Sequence, residues 1–270
     1  MLKDITLGQF FPGNTLMHRI DPRTKILLIT AIIVALFVCS NALSFVVLTV
    51  FIVGLVRISR LKLRMVLRGL KPLLFLIVFA AVLNLFTTAG EDVIWRAGVL
   101  SITSEGVKKS LLLVVRMILL IVGTSLLTYT TSPIQLADGL ERLLSPLKKL
   151  HAPVHELTMM MSLALRFIPT LVEETDKIMS AQRARGADFD SGNLLHRAKA
   201  LVPILVPLFV SAFRRADELA TAMECRLYQG DNGRTRLRQL RFGRDDAVCA
   251  AIAVIFLGGA IALQVVCAAA

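Results

Sequence analysis

The sequence has few of the residue types that catalysis and metal binding use. Its 270 residues include four cysteines, four histidines, two tyrosines and one tryptophan. The cysteines have no metal-ligand spacing and three of them lie in or near apolar runs, which is typical of small core residues. We therefore predict no disulfide framework, no resident metal and no other cofactor. The four cysteines are Cys39, Cys225, Cys249 and Cys267.

A phosphate-binding loop is also missing. No G-x-x-x-x-G-K-[ST] motif occurs, and "GVKKS" at 106–110 lacks the Gly-Lys pair of that motif. His151 and His155 are four residues apart, but Pro153 lies between them and no third ligand is near, which favours solvated or capping histidines over a zinc site. We expect no nucleotide hydrolysis by this chain alone. A membrane-embedded hydrolase is not supported either, because no nucleophile–base or metal constellation is present.

The apolar content indicates a membrane protein. Hydrophobic residues make up 56% of the chain, whereas soluble domains contain about 45–50%. The net charge of +12 is concentrated beside apolar runs, and the segment Arg57–Lys71 has six Lys or Arg and no acid. By the positive-inside rule this segment is a cytoplasmic loop. Because the basic residues flank apolar spans and form no single soluble face, nucleic-acid binding is disfavoured.

Hydropathy and charge together predict five membrane spans. Residues 26–56 carry no charge and are too long for one upright helix, and both flanks are basic. This pattern predicts a helical hairpin that turns near Ser40–Asn41. Residues 72–90, 110–130 and 247–270 predict three further spans, so that the N-terminus lies in the cytoplasm and the C-terminus outside.

The segment 131–243 mixes charge with amphipathic patterns, and we expect it to form a cytoplasmic domain between transmembrane helices 1–4 (residues 1–130) and a final transmembrane helix (residues 244–270). Its first helix is predicted by Ser132 as N-cap, Pro133 at the first helical position and Gln135 two residues later, which is a capping box. Leucines then follow on one face of this helix. They are Leu136, Leu140, Leu143, Leu144 and Leu147.

Two long helices follow in the same segment, from residue 154 to about 184 and from residue 194 to about 227. Each begins apolar and finishes charged, so we expect each to have one end against the membrane or an apolar partner and the other in water. Arg185 and Arg226 lie near the two charged ends. An arginine there complements the helix dipole, but a pair of them on two long helices also suits docking into a partner's groove, because a guanidinium stays charged when buried.

The residues resemble the transmembrane T component of energy-coupling factor (ECF) transporters over nearly the whole chain. "PGNTLMHRIDPRTKILL" (12–28) is similar to the N-terminal signature of that family. The segments "TTSPIQLADGLERLLSPLKKL", "MMMSLALRFIPTLVEETDKIMSAQRARG" and "AMECRLYQG" follow in the family's order and spacing. The resemblance implies an all-α integral membrane protein with about five transmembrane helices and a cytoplasmic coupling domain of long crossed amphipathic helices.

In that family two short arginine motifs dock into grooves of a pair of ABC-type ATPases, and the resemblance places them at two positions here. The first is Ala184-Arg185-Gly186. The second is Cys225-Arg226-Leu227, which keeps the arginine but lacks the flanking Ala and Gly. The implied role is that of a non-enzymatic coupling subunit in the cell membrane, which serves the uptake of vitamins or other micronutrients while its partners hydrolyse ATP.

The resemblance also implies that the apolar face of the coupling helices holds a small substrate-binding membrane subunit. Methionines suit such a surface because their side chains are unbranched and adaptable, although each alone could equally face lipid or the core. The candidate interface residues are Leu136, Leu140, Leu143, Leu147, Met159, Met160 and Met161.

One alternative stays open at this point, namely a self-sufficient secondary transporter. Arg116 lies inside a predicted span, where a charge is costly and often marks a pathway. Snorkelling or a bond to the carbonyl of a neighbouring helix would explain the same residue without transport. The sequence shows no repeated halves, which such a transporter would often have. The transported substrate is not encoded in any motif.

Overall fold

The computed structural model describes residues 10–61, 63–88, 93–97, 100–146, 153–187, 189, 193–230, 240 and 242–269. Within them the chain is almost entirely helical. The elements are α1 (Leu16–Arg19), α2 (Pro22–Val38), α3 (Ala42–Ile58), α4 (Leu63–Leu70), a 3₁₀ turn (Lys71–Leu73), α5 (Leu74–Thr87), β1 (Val93–Ala97), β2 (Leu100–Thr103), α6 (Ser104–Thr130), α7 (Pro133–Leu144), α8 (Val154–Ala184), α9 (Leu194–Cys225) and α10 (Arg244–Ala269).

The described helices confirm the predicted class, an all-α membrane protein. Three helical stretches are long and apolar enough to cross a bilayer: Arg64–Thr87, which runs through α4, the 3₁₀ turn and α5, Ser104–Thr130 and Arg244–Val266. Ala42–Ile58 is a shorter apolar helix. The predicted hairpin is confirmed, because α2 ends at Val38 and α3 begins at Ala42. Two helices begin earlier than the predicted spans 110–130 and 247–270, because each has a charged first turn. Helix α6 begins at Ser104, with Thr103 as its N-cap, and α10 begins at Arg244.

A two-stranded antiparallel hairpin, β1 and β2, lies in the segment that the sequence pattern assigns to a loop between two spans. Trp95 pairs with Ile102 and Ala97 pairs with Leu100. Thr103 ends the second strand and caps α6, and its hydroxyl also donates to the carbonyl of Thr88 at 3.1 Å. The hairpin thus fixes the start of α6 beside the end of α5.

The described chain divides into two compact units, one formed by residues 10–140 with 240–269 and the other by residues 141–230. In the first unit α10 packs against α2 and α3, and α6 packs against α2, α3 and α5. The core is built from aliphatic side chains that are almost completely buried, among them Ile32, Leu36, Leu48 and Ile52. Because lipid tails are as apolar as these side chains, close van der Waals packing between them holds the helices together within the membrane.

The N-terminal signature of the sequence has a structural explanation within this unit. Asp21 caps α2 by accepting from the Arg23 amide, and its own amide donates to Asp246 Oδ1 at 2.7 Å. The Arg23 guanidinium pairs with Asp21 at 3.0 Å and donates to the carbonyl of Leu240 at 2.9 Å. The buried Lys25 donates to the carbonyl of Thr130 at 3.0 Å. These bonds join the start of α2 to the start of α10 and the end of α6.

Candidate functional site

Helices α8 and α9 form an antiparallel pair within the second unit. Gln182, near the end of α8, donates to the carbonyl of Pro203, in the first third of α9, at 3.4 Å. Toward the other end of the pair, the Tyr228 hydroxyl, just beyond α9, lies 3.0 Å from Met159 Sδ, near the start of α8. As residue numbers fall along α8 they rise along α9, so the two helices run in opposite directions.

An ion pair holds the middle of this helix pair. Arg215 Nη2 of α9 lies 2.7 Å from Glu174 Oε2 of α8, and both side chains are partly buried. A hydrogen bond from Ser211, together with the charge of Arg215, lowers the pKa of the Glu174 carboxyl below its ordinary value. The carboxylate is therefore ionised at neutral pH, and it binds α9 to α8 through Arg215.

Helix α8 ends in a Schellman motif with Arg185 as its C-cap. The amide of Ala187 donates to the carbonyl of Gln182 at 3.0 Å, and the amide of Gly186 donates to the carbonyl of Arg183 at 3.0 Å. The motif requires a left-handed residue after the cap, and Gly186 has φ +88°. A Cβ at Gly186 would meet no atom within 4 Å, so glycine is favoured there by its backbone freedom alone.

Helix α9 ends in the same motif, with Arg226 at the C-cap position. The amide of Tyr228 donates to the carbonyl of Met223 at 3.1 Å, and the amide of Leu227 donates to the carbonyl of Glu224 at 2.9 Å. Here the left-handed residue is Leu227, with φ +55°. The departure from Gly in the second motif therefore leaves the helix end intact, and the leucine adopts the backbone conformation of the glycine it replaces.

The two arginines lie at opposite ends of the helix pair, and both are exposed. Arg226 precedes Tyr228, which contacts Met159, and about 40 Å of helix separates Met159 from Arg185 at 1.5 Å per residue. The sequence pattern, in which each helix begins apolar and ends charged, does not indicate this separation. Because the helices are antiparallel, their apolar beginnings also lie at opposite ends.

The structure leaves four of the seven predicted interface residues exposed. The capping box of α7 is confirmed by reciprocal bonds between Ser132 and Gln135. On this helix Leu136 and Leu140 are exposed, and Leu143 is half-buried. In α8, Met160 and Met161 are exposed, whereas Met159 is half-buried against Tyr228. Leu147 lies outside the described residues.

A further apolar surface lies on α9 and has helical spacing. Its residues recur at positions i, i+3, i+4 and i+7, and each is about half exposed or more. The periodicity is visible in the sequence, but only the contacts with α8 show which face of α9 is left uncovered. We name these residues the α9 apolar face: Val202, Val206, Phe209, Val210 and Phe213.

Arg116 has a structural partner. Its guanidinium donates to the carbonyl of Cys39 at 2.8 Å, at the C-cap of α2, and lies 5.4 Å from the ring centroid of Phe45. This is the bond to a neighbouring helix carbonyl that the sequence left open as an alternative to a transport pathway. The arginine therefore satisfies the end of a helix inside the apolar unit.

Of the histidine pair considered as a zinc site, the structure describes only His155. His155 Nδ1 lies 3.2 Å from Glu141 Oε1. His151 lies outside the described residues, and among those described no three His, Cys, Asp or Glu side chains cluster as a metal site.

Together, the apolar helices and the arginine-capped helix pair define an all-α membrane protein with long helices in its second unit. A family model described as cobalt transport protein, CbiQ, matches residues 13–237. A protein of Ruminiclostridium cellulolyticum described as energy-coupling factor transporter transmembrane protein EcfT is 53% identical over 98% of this chain and 99% of its own length.

Other relatives carry the same description. The protein of Thermosediminibacter oceani is 54% identical over 91% of this chain and 92% of its own length, and that of Bacillus subtilis (strain 168) is 46% identical over 94% and 97%. The chain belongs to the CbiQ/EcfT family of transporter transmembrane proteins.

Proposed function

We propose that this chain is the coupling subunit of an ECF-type importer in the cell membrane. In this role it hydrolyses nothing itself. It transmits the movement of two ABC-type ATPase subunits to a small substrate-binding membrane subunit for the uptake of vitamins or other micronutrients. Residues 131–243 form the coupling domain on the cytoplasmic side, where the N-terminus also lies.

The observation that carries this proposal is the duplicated arginine cap. Arg185 and Arg226 take the same position in the same helix-ending motif, and both are exposed. A guanidinium at such an end has its hydrogen-bond donors free for carboxylates or helix-end carbonyls of a groove. One such end could be explained by the helix dipole alone. Two matching ends on one helix pair support two matching docking sites.

The spacing of the two ends fits two ATPases. A compact domain of about 200 residues has a radius of gyration of about 16 Å and so a diameter of about 40 Å. Two such domains in contact have their centres about 40 Å apart, which is the length of helix between the two arginine ends. One domain of that size would not receive both ends in one groove. The ion pair between Glu174 and Arg215 joins the two helices between these ends.

The exposed apolar residues support the other half of the role. Leu136 and Leu140 of α7, Met160 and Met161 of α8, and the α9 apolar face are the exposed surfaces that we assign to the substrate-binding subunit and the bilayer. The half-buried Leu143 of α7 is assigned with them. The second candidate, a secondary transporter with Arg116 in its pathway, is not favoured, because Arg116 is bound to the carbonyl of Cys39.

Co-purification from the native membrane tests the proposal. The tagged wild-type chain is compared with an Arg185→Glu/Arg226→Glu variant, which we expect to lose the ATPase subunits while it stays folded in the membrane. The matched control is Arg166→Glu/Arg214→Glu, which makes the same charge change at two exposed arginines inside α8 and α9. If wild type retains no ATPase, or if the control loses the ATPases equally, the proposal is wrong.

A further inference from the structure

Leu227 combines a left-handed backbone, with φ +55°, and a side chain that is 81% exposed. The left-handed region is unfavourable for a residue with a Cβ, and glycine is the usual residue after the cap in this motif. Burial of the leucine side chain would offset that cost, but within the described chain the side chain stays exposed. For the fold alone, glycine would serve better at this position.

The position of Leu227 relative to Arg226 gives the side chain a different use. Leu227 directly follows the exposed cap arginine, so a groove that receives Arg226 at the end of α9 also meets the leucine. At the end of α8, Gly186 takes the equivalent position and offers no side chain. The two helix ends therefore share an arginine in the same geometry but differ by one exposed isobutyl group.

We propose that Leu227 is a specificity-determining contact of the second docking end. Its side chain enters an apolar hollow beside the groove that receives Arg226, on one of the two ATPase subunits. The end of α9 is then not interchangeable with the end of α8, and each end selects its own ATPase groove. This inference rests on the proposed function, since it assumes that Arg226 docks into an ATPase.

The size of the expected effect follows from the side chain. Burying a leucine side chain that is exposed in the free protein corresponds to about tenfold to a hundredfold in a binding constant. The arginine contributes a charged, directional contact, and the leucine contributes an apolar contact that a purely polar groove would not favour. Loss of the leucine should therefore weaken binding without loss of the arginine contact.

The test uses the full-length chain in lipid nanodiscs, titrated with the ABC-type ATPase subunits that co-purify with the tagged wild-type protein. Leu227→Gly removes the side chain and suits the left-handed backbone, so it cannot weaken binding through unfolding of the helix end. We expect it to raise the apparent Kd about tenfold or more. Leu227→Met, which keeps an apolar side chain of similar size, should stay within about threefold of wild type.

Arg226→Glu in the same titration separates this inference from the proposed function. If Arg226→Glu weakens binding and Leu227→Gly does not, the leucine contact is wrong and the docking arginine stands. If neither variant changes the Kd, both the docking role of Arg226 and the leucine contact are wrong. A Gly186→Leu variant adds the same side chain at the end of α8. If that end then gains affinity for the ATPase subunit that binds the end of α9, the result further supports selection by this side chain.

Discussion

Gly186 and Leu227 occupy the same structural position, one residue beyond the cap arginine of α8 and of α9, and both have positive φ, +88° and +55°. Three backbone hydrogen bonds match at the two helix ends, and the Arg185 amide also donates to the carbonyl of Ala181. The helix ends are thus built by the backbone motif, and the arginines are presented in the same way by two different sequences. The predictions below follow from this helix pair and from its surroundings.

Replacing Leu227 by glycine should stabilise the end of α9. The left-handed conformation costs a residue with a Cβ about 1 kcal/mol, which is about a fivefold change in the local opening equilibrium. Hydrogen exchange of the Leu227 and Tyr228 amides should therefore slow about fivefold in Leu227→Gly. Leu227→Ala keeps the Cβ and is the control, since its exchange should match wild type. Equal exchange in all three proteins would contradict the strain assigned to Leu227.

The contact between α8 and α9 should weaken in acid. Because the pKa of the Glu174 carboxyl is lowered in the folded protein, its stabilising contribution is complete above the ordinary glutamate pKa of about 4.3. The contribution is lost as the pH falls through the lowered folded value. Hydrogen exchange along α8 and α9 should therefore speed up as the pH falls below about 4, after correction for the intrinsic rate.

A Glu174→Gln variant checks the source of this pH dependence. It should be less stable than wild type at pH 7 and should lose the acid-dependent part of the change. Glu173→Gln is the matched control, because Glu173 is its exposed neighbour and should keep the wild-type profile. A wild-type profile in Glu174→Gln would show that another group is responsible.

Arg116 should matter for stability and not for coupling. In Arg116→Gln the carbonyl of the buried Cys39 loses its donor, which should cost about 1–3 kcal/mol and lower the melting temperature in detergent. The ATPase subunits should still co-purify. Lys108→Gln removes an exposed charge from the same helix and should leave the melting temperature unchanged. Unchanged stability with lost uptake in Arg116→Gln would favour a pathway role instead.

The exposed methionines of α8 should serve the substrate-binding subunit. Met160→Glu/Met161→Glu places charge on a surface that we assign to an apolar partner, so the variant should lose the small membrane subunit and keep the ATPases. Met160→Leu/Met161→Leu keeps the surface apolar and should behave as wild type. Loss of the ATPases and retention of the small subunit would contradict the assignment.

Helix positions could be predicted where local signals are strong. Ser132 and Gln135 predict the start of α7, because the side chain of each can accept a hydrogen bond from the backbone amide of the other. The structure shows both bonds. The turn near Ser40–Asn41 follows from charge at both ends of a long apolar run, and the break between α2 and α3 lies there. The family follows from the resemblance of several sequence motifs, and the family model and the relatives confirm it.

Tertiary relationships were less accessible from the sequence. The antiparallel direction of α8 and α9 depends on contacts such as Gln182 with Pro203, which no periodicity encodes. The end of α9 lies at Cys225, close to the predicted residue of about 227. The left-handed residue after its cap is Leu227, which is not a usual stop signal because glycine normally takes that position. The sequence pattern predicts a loop where the β1–β2 hairpin lies, because its short strands stand between two dominant apolar helices.

The most direct test of the central claim is site-specific photo-crosslinking from the two helix ends. A photo-crosslinking amino acid is placed at Ala184 or at Cys225, each exposed and directly before its arginine, with exposed Arg166 within α8 as the control position. The account predicts that both ends crosslink to ABC-type ATPase subunits in the native membrane, and that the control position does not. Crosslinks from both ends to lipid or to the substrate-binding subunit, with none to an ATPase, would contradict it.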